Sequence, residues 1–218
     1  VTSIGGEAFS GTPWLENQPD GCLYIGKCLY KCKGEMPENT HIDIKEGTVQ
    51  ICSEAFSNCY WLTSVTIPES IIDIAFDAFY NCNLTSVQWN AINYGDFYSY
   101  SSAPFRGNSY ENFSLKSFTF GENVKHIPAY ICYNLKNLNT VSIPKSVETV
   151  GTEAFEGTAW LDNQPEGCVY INNCLYDYKN GSLTQIEVRE GTTQICTSAF
   201  SNANITSITI PNSVTEVG

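Results

Sequence analysis

The sequence predicts an α/β repeat fold: a solenoid of short strands and short helical turns, with two β-hairpins inserted. Three observations predict it. An apolar pattern returns every 22 to 23 residues, an apolar pair and an Ala-Phe pair follow it at fixed distances, and residues 1–32 recur without a gap as 147–178.

The strand comes first. Leu62, Val65, Ile67 and Pro68 recur as Leu138, Val141, Ile143 and Pro144, and as Ile205, Ile208, Ile210 and Pro211. Weaker copies are Asn39/Ile42/Ile44, Leu84/Val87/Trp89, Leu115/Phe118/Phe120 and Leu183/Ile186/Val188. Their first positions are separated by 23, 22, 31, 23, 45 and 22 residues, so the longer gaps hold insertions. Alternation places two side chains inward on a short strand. Pro68, Pro144 and Pro211 end it, because proline has no N–H to give a ladder.

The second apolar pair is Ile71/Ile74, Val147/Val150 or Val214/Val217, as in Val1/Ile4. Four residues later come Ala8-Phe9, Ala55-Phe56, Ala78-Phe79, Ala154-Phe155 and Ala199-Phe200. This fits a short helical turn in which Ala permits close packing and Phe fills the core. One such coil cannot hide its apolar side alone, whereas stacked copies bury a continuous core.

The hairpins are read from the duplication. Trp14-Leu15 matches Trp160-Leu161, Gly21-Cys22 matches Gly167-Cys168, and the match resumes at Glu46–Thr48 with Glu190–Thr192. In each copy two apolar runs flank a pair of turn residues, Gly26-Lys27 or Asn172-Asn173. Gly first suits a type II′ turn and Asn-Asn a type I′ turn. Each copy therefore reads as a hairpin beside the solenoid, with Ile25 facing Cys28 and Tyr24 facing Leu29. A single solenoid over 1–218 is expected, with insertions at about 16–36, 91–113 and 162–181. Val1–Gly5 and Val214–Gly218 share one phase of the repeat without a polar capping repeat, so a segment of a longer array is expected.

The run Ile143–Phe155 (IPKSVETVGTEAF) and the insert Trp160–Ile171 (WLDNQPEGCVYI) resemble the BspA-like leucine-rich-repeat proteins. The resemblance covers almost the whole chain except about 91–113. It implies a right-handed leucine-rich-repeat solenoid with a parallel sheet on one face. It also implies export to, or display on, the surface of host-associated anaerobic bacteria or some protists, where several such proteins act in adhesion. A fold does not fix its ligand.

With 23 acidic and 11 basic residues the net charge is -12. Nucleic acid and anionic membrane surfaces need clustered Lys and Arg, so neither is expected as a partner. The acidic surface either keeps the protein solvated or attracts basic partners. No apolar run is long enough to span a bilayer. The first residues do not look like a signal peptide, so a signal or anchor is expected outside this segment.

The cysteines fall mostly in core slots. Cys59 and Cys82 each lie three residues past a Phe and stack in neighbouring coils; Cys132 takes a Phe slot; Cys52 and Cys196 precede Ala-Phe. Buried thiols behave as small apolar residues, and a Cys59–Cys82 disulfide is the alternative. Strand alternation puts Cys22 and Cys28 on opposite faces and Cys28 and Cys32 on one face ~13 Å apart, too far to share zinc. No metal is expected. The loops Glu16–Gly21 and Asp162–Gly167 offer oxygen ligands to calcium but read better as turns. His41 and His126 have no nucleophile motif beside them, and no phosphate loop, dinucleotide fingerprint or zinc-protease motif occurs. Neither an enzyme nor a cofactor is expected.

The most individual stretch is 91–113, where aromatic residues stand among Ser, Gly and Asn, the composition of adaptable binding loops. Two readings remain. The aromatics fold back over the solenoid, with Ala103-Pro104-Phe105 as a degenerate Ala-Phe, or Tyr94, Phe97, Tyr98, Tyr100 and Tyr110 form a protein-binding site. The expected function is a non-enzymatic, cell-surface or secreted binding or adhesion module. Its protein ligand would be one such as a host extracellular-matrix or surface protein, taken by the sheet face or this insertion. The alternative is a structural spacer or self-associating array, with weak end-to-end association.

Overall fold

The computed structural model describes residues 1–105, 114–179 and 181–218. The repeated pattern forms a ladder of parallel strands. Thr40–Asp43, Leu62–Ile67, Ser86–Trp89, Ser117–Phe120 and Thr140–Ser142 lie side by side in that order, and Gln185–Glu187 pairs with Ser207–Thr209. The register stacks like on like: Ile42, Val65, Val87, Phe118 and Val141 are successive partners, with Ile67, Trp89 and Phe120 alongside. Val65, Ile67, Val87, Trp89, Phe118 and Phe120 are buried. Burying side chains of this size stabilises by about 1.5–3 kcal/mol each, and stacking is what removes their second side from water.

The second apolar pair forms a ladder of its own. Gln50–Ile51 pairs in parallel with Asp73–Ile74, His126–Ile127 with Thr149–Val150, and Gln194–Ile195 with Glu216–Val217. The molecule is thus a parallel β-solenoid with strands on two sides of most coils, rather than a sheet on one face only.

The expected helical turns are not helices. Among the described residues, helix is confined to Pro13–Glu16, Ala159–Asp162 and the 3-10 turn Tyr100–Ser102. The Ala-Phe segments are hydrogen-bonded turns bounded by left-handed residues, as at Glu54 (φ 54°) and Asn58 (φ 63°), or Ser198 (φ 65°) and Asn202 (φ 60°). Within them, local turn bonds such as Ala55 N to Cys52 O alternate with N–H groups that point sideways to the next coil: Phe56 N donates to Ala78 O (2.8 Å), Asn58 N to Tyr80 O (2.9 Å) and Cys132 N to Ala154 O (2.9 Å). An N–H bonded across coils cannot close an i to i-4 helical bond.

Gly21–Ile25 pairs antiparallel with Cys28–Lys33, and Gly167–Ile171 with Cys174–Lys179. Ile25 faces Cys28 and Tyr24 faces Leu29. The second strand of each pair does not stand beside the solenoid. Cys28 and Leu29 pair in parallel with Gln50 and Ile51, so they are rungs of the short-strand ladder. Left-handed backbone falls on Gly26 (φ 61°) and Asn172 (φ 51°) but not on Asn173. A type I′ turn needs it at both residues, so Asn172-Asn173 is not one.

A register shift between Leu23 and Tyr24 then changes the cysteine geometry. The extra residue on the second strand places Cys32 opposite Cys22, and the two form a disulfide. The shift also reverses the alternation: Cys28 packs with Tyr30 and Cys52, whereas Cys32 joins Leu29 in the main core. Cys28 and Cys32 therefore do not share a face. The second copy has Tyr178 opposite Cys168, and its hydroxyl donates to Leu183 O (2.8 Å). Cys59 and Cys82 are free thiols.

The duplicated units share several long-range contacts. Gln50 Oε1 accepts from Ile4 N and Gln194 Oε1 from Val150 N; Tyr30 Oη accepts from Phe9 N and Tyr176 Oη from Phe155 N. Lys45 lies over the ring of Tyr24 and Arg189 over that of Tyr170.

Candidate functional site

Between the short strands Asp73–Ile74 and His126–Ile127 the ladder is interrupted, because each is an edge of its own sheet. Residues 92–105 fill this gap in place of a regular coil. Ile92 N donates to Glu69 O (3.4 Å), joining the insertion to the coil before it. Tyr94 Oη accepts from Ile74 N (3.2 Å) at the edge of the short strand, and burial pushes the Tyr94 hydroxyl above its ordinary pKa. Its ring meets Trp89 edge-on at 5.1 Å and lies 5.0 Å from Phe97. On the far side, Asp96 Oδ1 accepts from Ala129 N (2.7 Å) and His126 Nε2 (2.8 Å). One tyrosine and one aspartate thus bond to both neighbours of the missing rung.

Beyond Asp96 the insertion turns outward and returns. Ser99 and Ser102 cap the turn Tyr100–Ser102 reciprocally. Ala103 and Phe105 are buried, and Phe105 stacks on Phe79 at 5.3 Å just as Phe79 stacks on Phe56 at 5.1 Å. The degenerate Ala-Phe reading therefore describes 103–105.

The five aromatic candidates separate accordingly. Phe97 is buried and Tyr94 is packed against the core. Tyr98 is 98% exposed, and Tyr100 is 57% exposed with its ring 5.3 Å from Tyr133. Tyr110 lies outside the described residues. Two residues that the sequence did not single out, Ile72 and Phe76, are exposed across from Tyr98 and line one groove with it. Their signal was phase: Ile72 follows the core slot Ile71, and Phe76 stands two residues after Ile74, so neither occupies a core slot.

The second surface is the outer face of the long strands. Register places His41, Ser64, Ser86, Ser117 and Thr140 in one row and Asp43, Thr66, Gln88, Thr119 and Ser142 in the next. His41 Nδ1 is 2.7 Å from Ser64 Oγ, and its Nε2 is 3.0 Å from Asp43 Oδ1. The hydrogen bond from His41 holds the Asp43 carboxyl below its ordinary pKa. This has the connectivity of a Ser-His-Asp triad, but ladder register explains it. His126, paired with Thr149, makes the same contacts to Thr149 Oγ1 (2.8 Å) and Asp96. Ser64 lies on a strand paired on both sides, whose N–H groups are committed to ladders rather than aimed at an oxyanion.

The remaining thiols are placed for packing. Burial pushes Cys59 to about 11 and Cys82 to about 12. Thiols that stay protonated at neutral pH are poor nucleophiles and poor metal ligands.

The family model described as BspA type Leucine rich repeat region matches in six copies over residues 1–94, 24–158 and 104–218. A search of the curated proteins found no match. Among solved structures, a leucine-rich repeat protein from Bacteroides ovatus is similar at 17% identity, with a TM-score of 0.37 over 82% of this chain. A leucine rich cell surface protein from Faecalibacterium prausnitzii is similar at 21% identity, with a TM-score of 0.38 over 89% of this chain. The chain spans 62% and 55% of the length of those two proteins.

Proposed function

We propose, since the chain belongs to the BspA-type leucine-rich-repeat family, that it is a surface-exposed, non-enzymatic module that binds a protein ligand without a cofactor. One observation carries this reading. Tyr98 and Tyr100 face solvent on an insertion whose base is fixed by Tyr94, Asp96 and Phe105. Rigidly based aromatics offer contact area at low entropic cost, the property that makes tyrosine a binding-loop residue. The Cys22–Cys32 disulfide supports placement outside a reducing compartment. No helix among the described residues is long and apolar enough to cross a membrane.

The test is equilibrium binding to a panel of extracellular-matrix and serum proteins, beside a Tyr98→Ala/Tyr100→Ala variant. Saturable binding that falls at least about tenfold in the variant is expected for an aromatic hot spot. Saturable binding untouched by the variant would move the site to the hydroxyl-lined sheet face. A spacer or self-associating array, the alternative that the repeat pattern itself offers, is the second reading. Sedimentation that shifts to larger species with concentration, with no saturable ligand on the panel, would favour it.

A further inference from the structure

The groove beside the insertion has a composition that selects its occupant. It encloses about 390 Å³ between the coil carrying Ile72, Asp73 and Phe76 and the insertion carrying Tyr94, Asp96 and Tyr98. Its walls present aromatic rings and two carboxylates, and among the described residues none that lines it is a lysine or arginine. Asp73 Oδ2 accepts from the neutral amide of Gln50 (2.8 Å), and among the described residues no cation pairs with its charge. Asp96 Oδ1 is shared by Ala129 N and His126 Nε2, which fixes the carboxylate at the groove wall. Ile72 is more than half exposed and Tyr98 almost wholly so, leaving apolar surface against water on both walls.

We infer that this groove receives the side chain of an arginine or lysine from a basic segment of a protein partner. The inference rests on the protein-binding reading of the insertion and names the chemistry of the partner. A cation is attracted to the electron-rich face of an aromatic ring and to carboxylates alike, whereas a neutral apolar side chain gains only from the ring. The long aliphatic stem of such a residue covers exposed apolar surface while its head stays at the charged rim. The net charge of -12 extends the attraction beyond contact distance and raises the encounter rate of a basic partner. An aromatic pocket alone would fit many ligands; the paired Asp73 and Asp96 make a positive charge the discriminating feature.

The test is an amide chemical-shift titration of the whole chain with N-acetyl-arginine amide and with N-acetyl-citrulline amide, its neutral isostere. Tyr98→Ala and Asp73→Asn are titrated beside the unaltered protein; Tyr98 is too exposed to carry the fold, and Asn is isosteric with Asp. Saturable shifts centred on residues 72–76 and 94–98 are expected with the arginine compound. Binding about fivefold weaker is expected with citrulline and in either variant, and weaker again in about 0.5 M salt. Equal binding of arginine and citrulline would overturn the inference. So would shifts spread over the acidic surface and indifferent to Tyr98→Ala. Citrulline equal to arginine, with Tyr98-dependent binding on the protein panel intact, removes the cation and leaves the binding module. Groove-centred arginine shifts with no panel ligand retain the cation site and count against the panel proteins as partners.

Discussion

Cys22 and Cys32 are ten residues apart, and closing a loop of that size restricts the unfolded chain by roughly 2–3 kcal/mol. Reduction is therefore expected to lower the melting temperature by roughly 5–10 °C. Alkylation of the oxidised, unfolded chain should count eight thiols, and ten after reduction; ten without reductant would remove the pairing. This disulfide was not legible in the sequence, for a physical reason. Strict alternation from the turn puts Lys31 opposite Cys22, and one extra residue at the register shift slides Cys32 into its place. Slots fixed by the repeat were legible, as at Cys132, which is fully buried where the pattern calls for Phe. Asp96 belongs to the illegible class, because its partners lie 30 and 33 residues away across a missing rung. Asp96→Ala strips Ala129 N of its acceptor and is expected to cost about 1–3 kcal/mol in chemical denaturation, with exchange protection lost first at Ala129.

Among the elements, the two short helices offer a controlled comparison. Thr12 and Thr158 both accept from the third residue on, but Thr158 is fully buried and Thr12 is not. Removing an N-cap costs ~1 kcal/mol, and more where water cannot replace it. Thr158→Ala should therefore lower the melting temperature more than Thr12→Ala, and equal effects would show that burial is irrelevant to the cap. The strand Cys174–Lys179 carries Asp177, whose carboxyl is raised mainly by burial; Glu156 is raised by burial and then by Asp177. A carboxyl with a folded pKa above its unfolded one supports the fold below the unfolded value and loses that support as pH rises through the folded value. Asp177→Asn is accordingly expected to raise the melting temperature near neutral pH, with the gain vanishing once the native carboxyl is protonated. The turn elements show how far periodicity reaches. It located the Ala-Phe segments, but could not show that N–H groups such as those of Phe56 and Asn58 point to the next coil instead of closing a helix.

For the molecule as a whole, the repeat made the stacked core readable, since one period fixes every copy. The groove was not readable in this way: Ile72, Phe76 and Tyr98 are defined by standing outside the period, and only the folded chain brings 72–76 against 94–98. A net charge of -12 on a stack of thin coils opposes compaction, so raising salt to about one Debye length of 8 Å or less should increase thermal stability, and a decrease would sink that view. The sideways bonding of strands and turns has a mechanical consequence. Each coil is bonded chiefly to the coils before and after it, so tension along the axis is resisted serially, as in a zip fastener. Stretched in an optical trap, the chain should yield in steps of 22 to 23 residues, each releasing roughly 70 Å of slack. Where Tyr94, Asp96 and Phe105 bridge the missing rung, the 31-residue interval should give way at once, as one longer jump of roughly 100 Å.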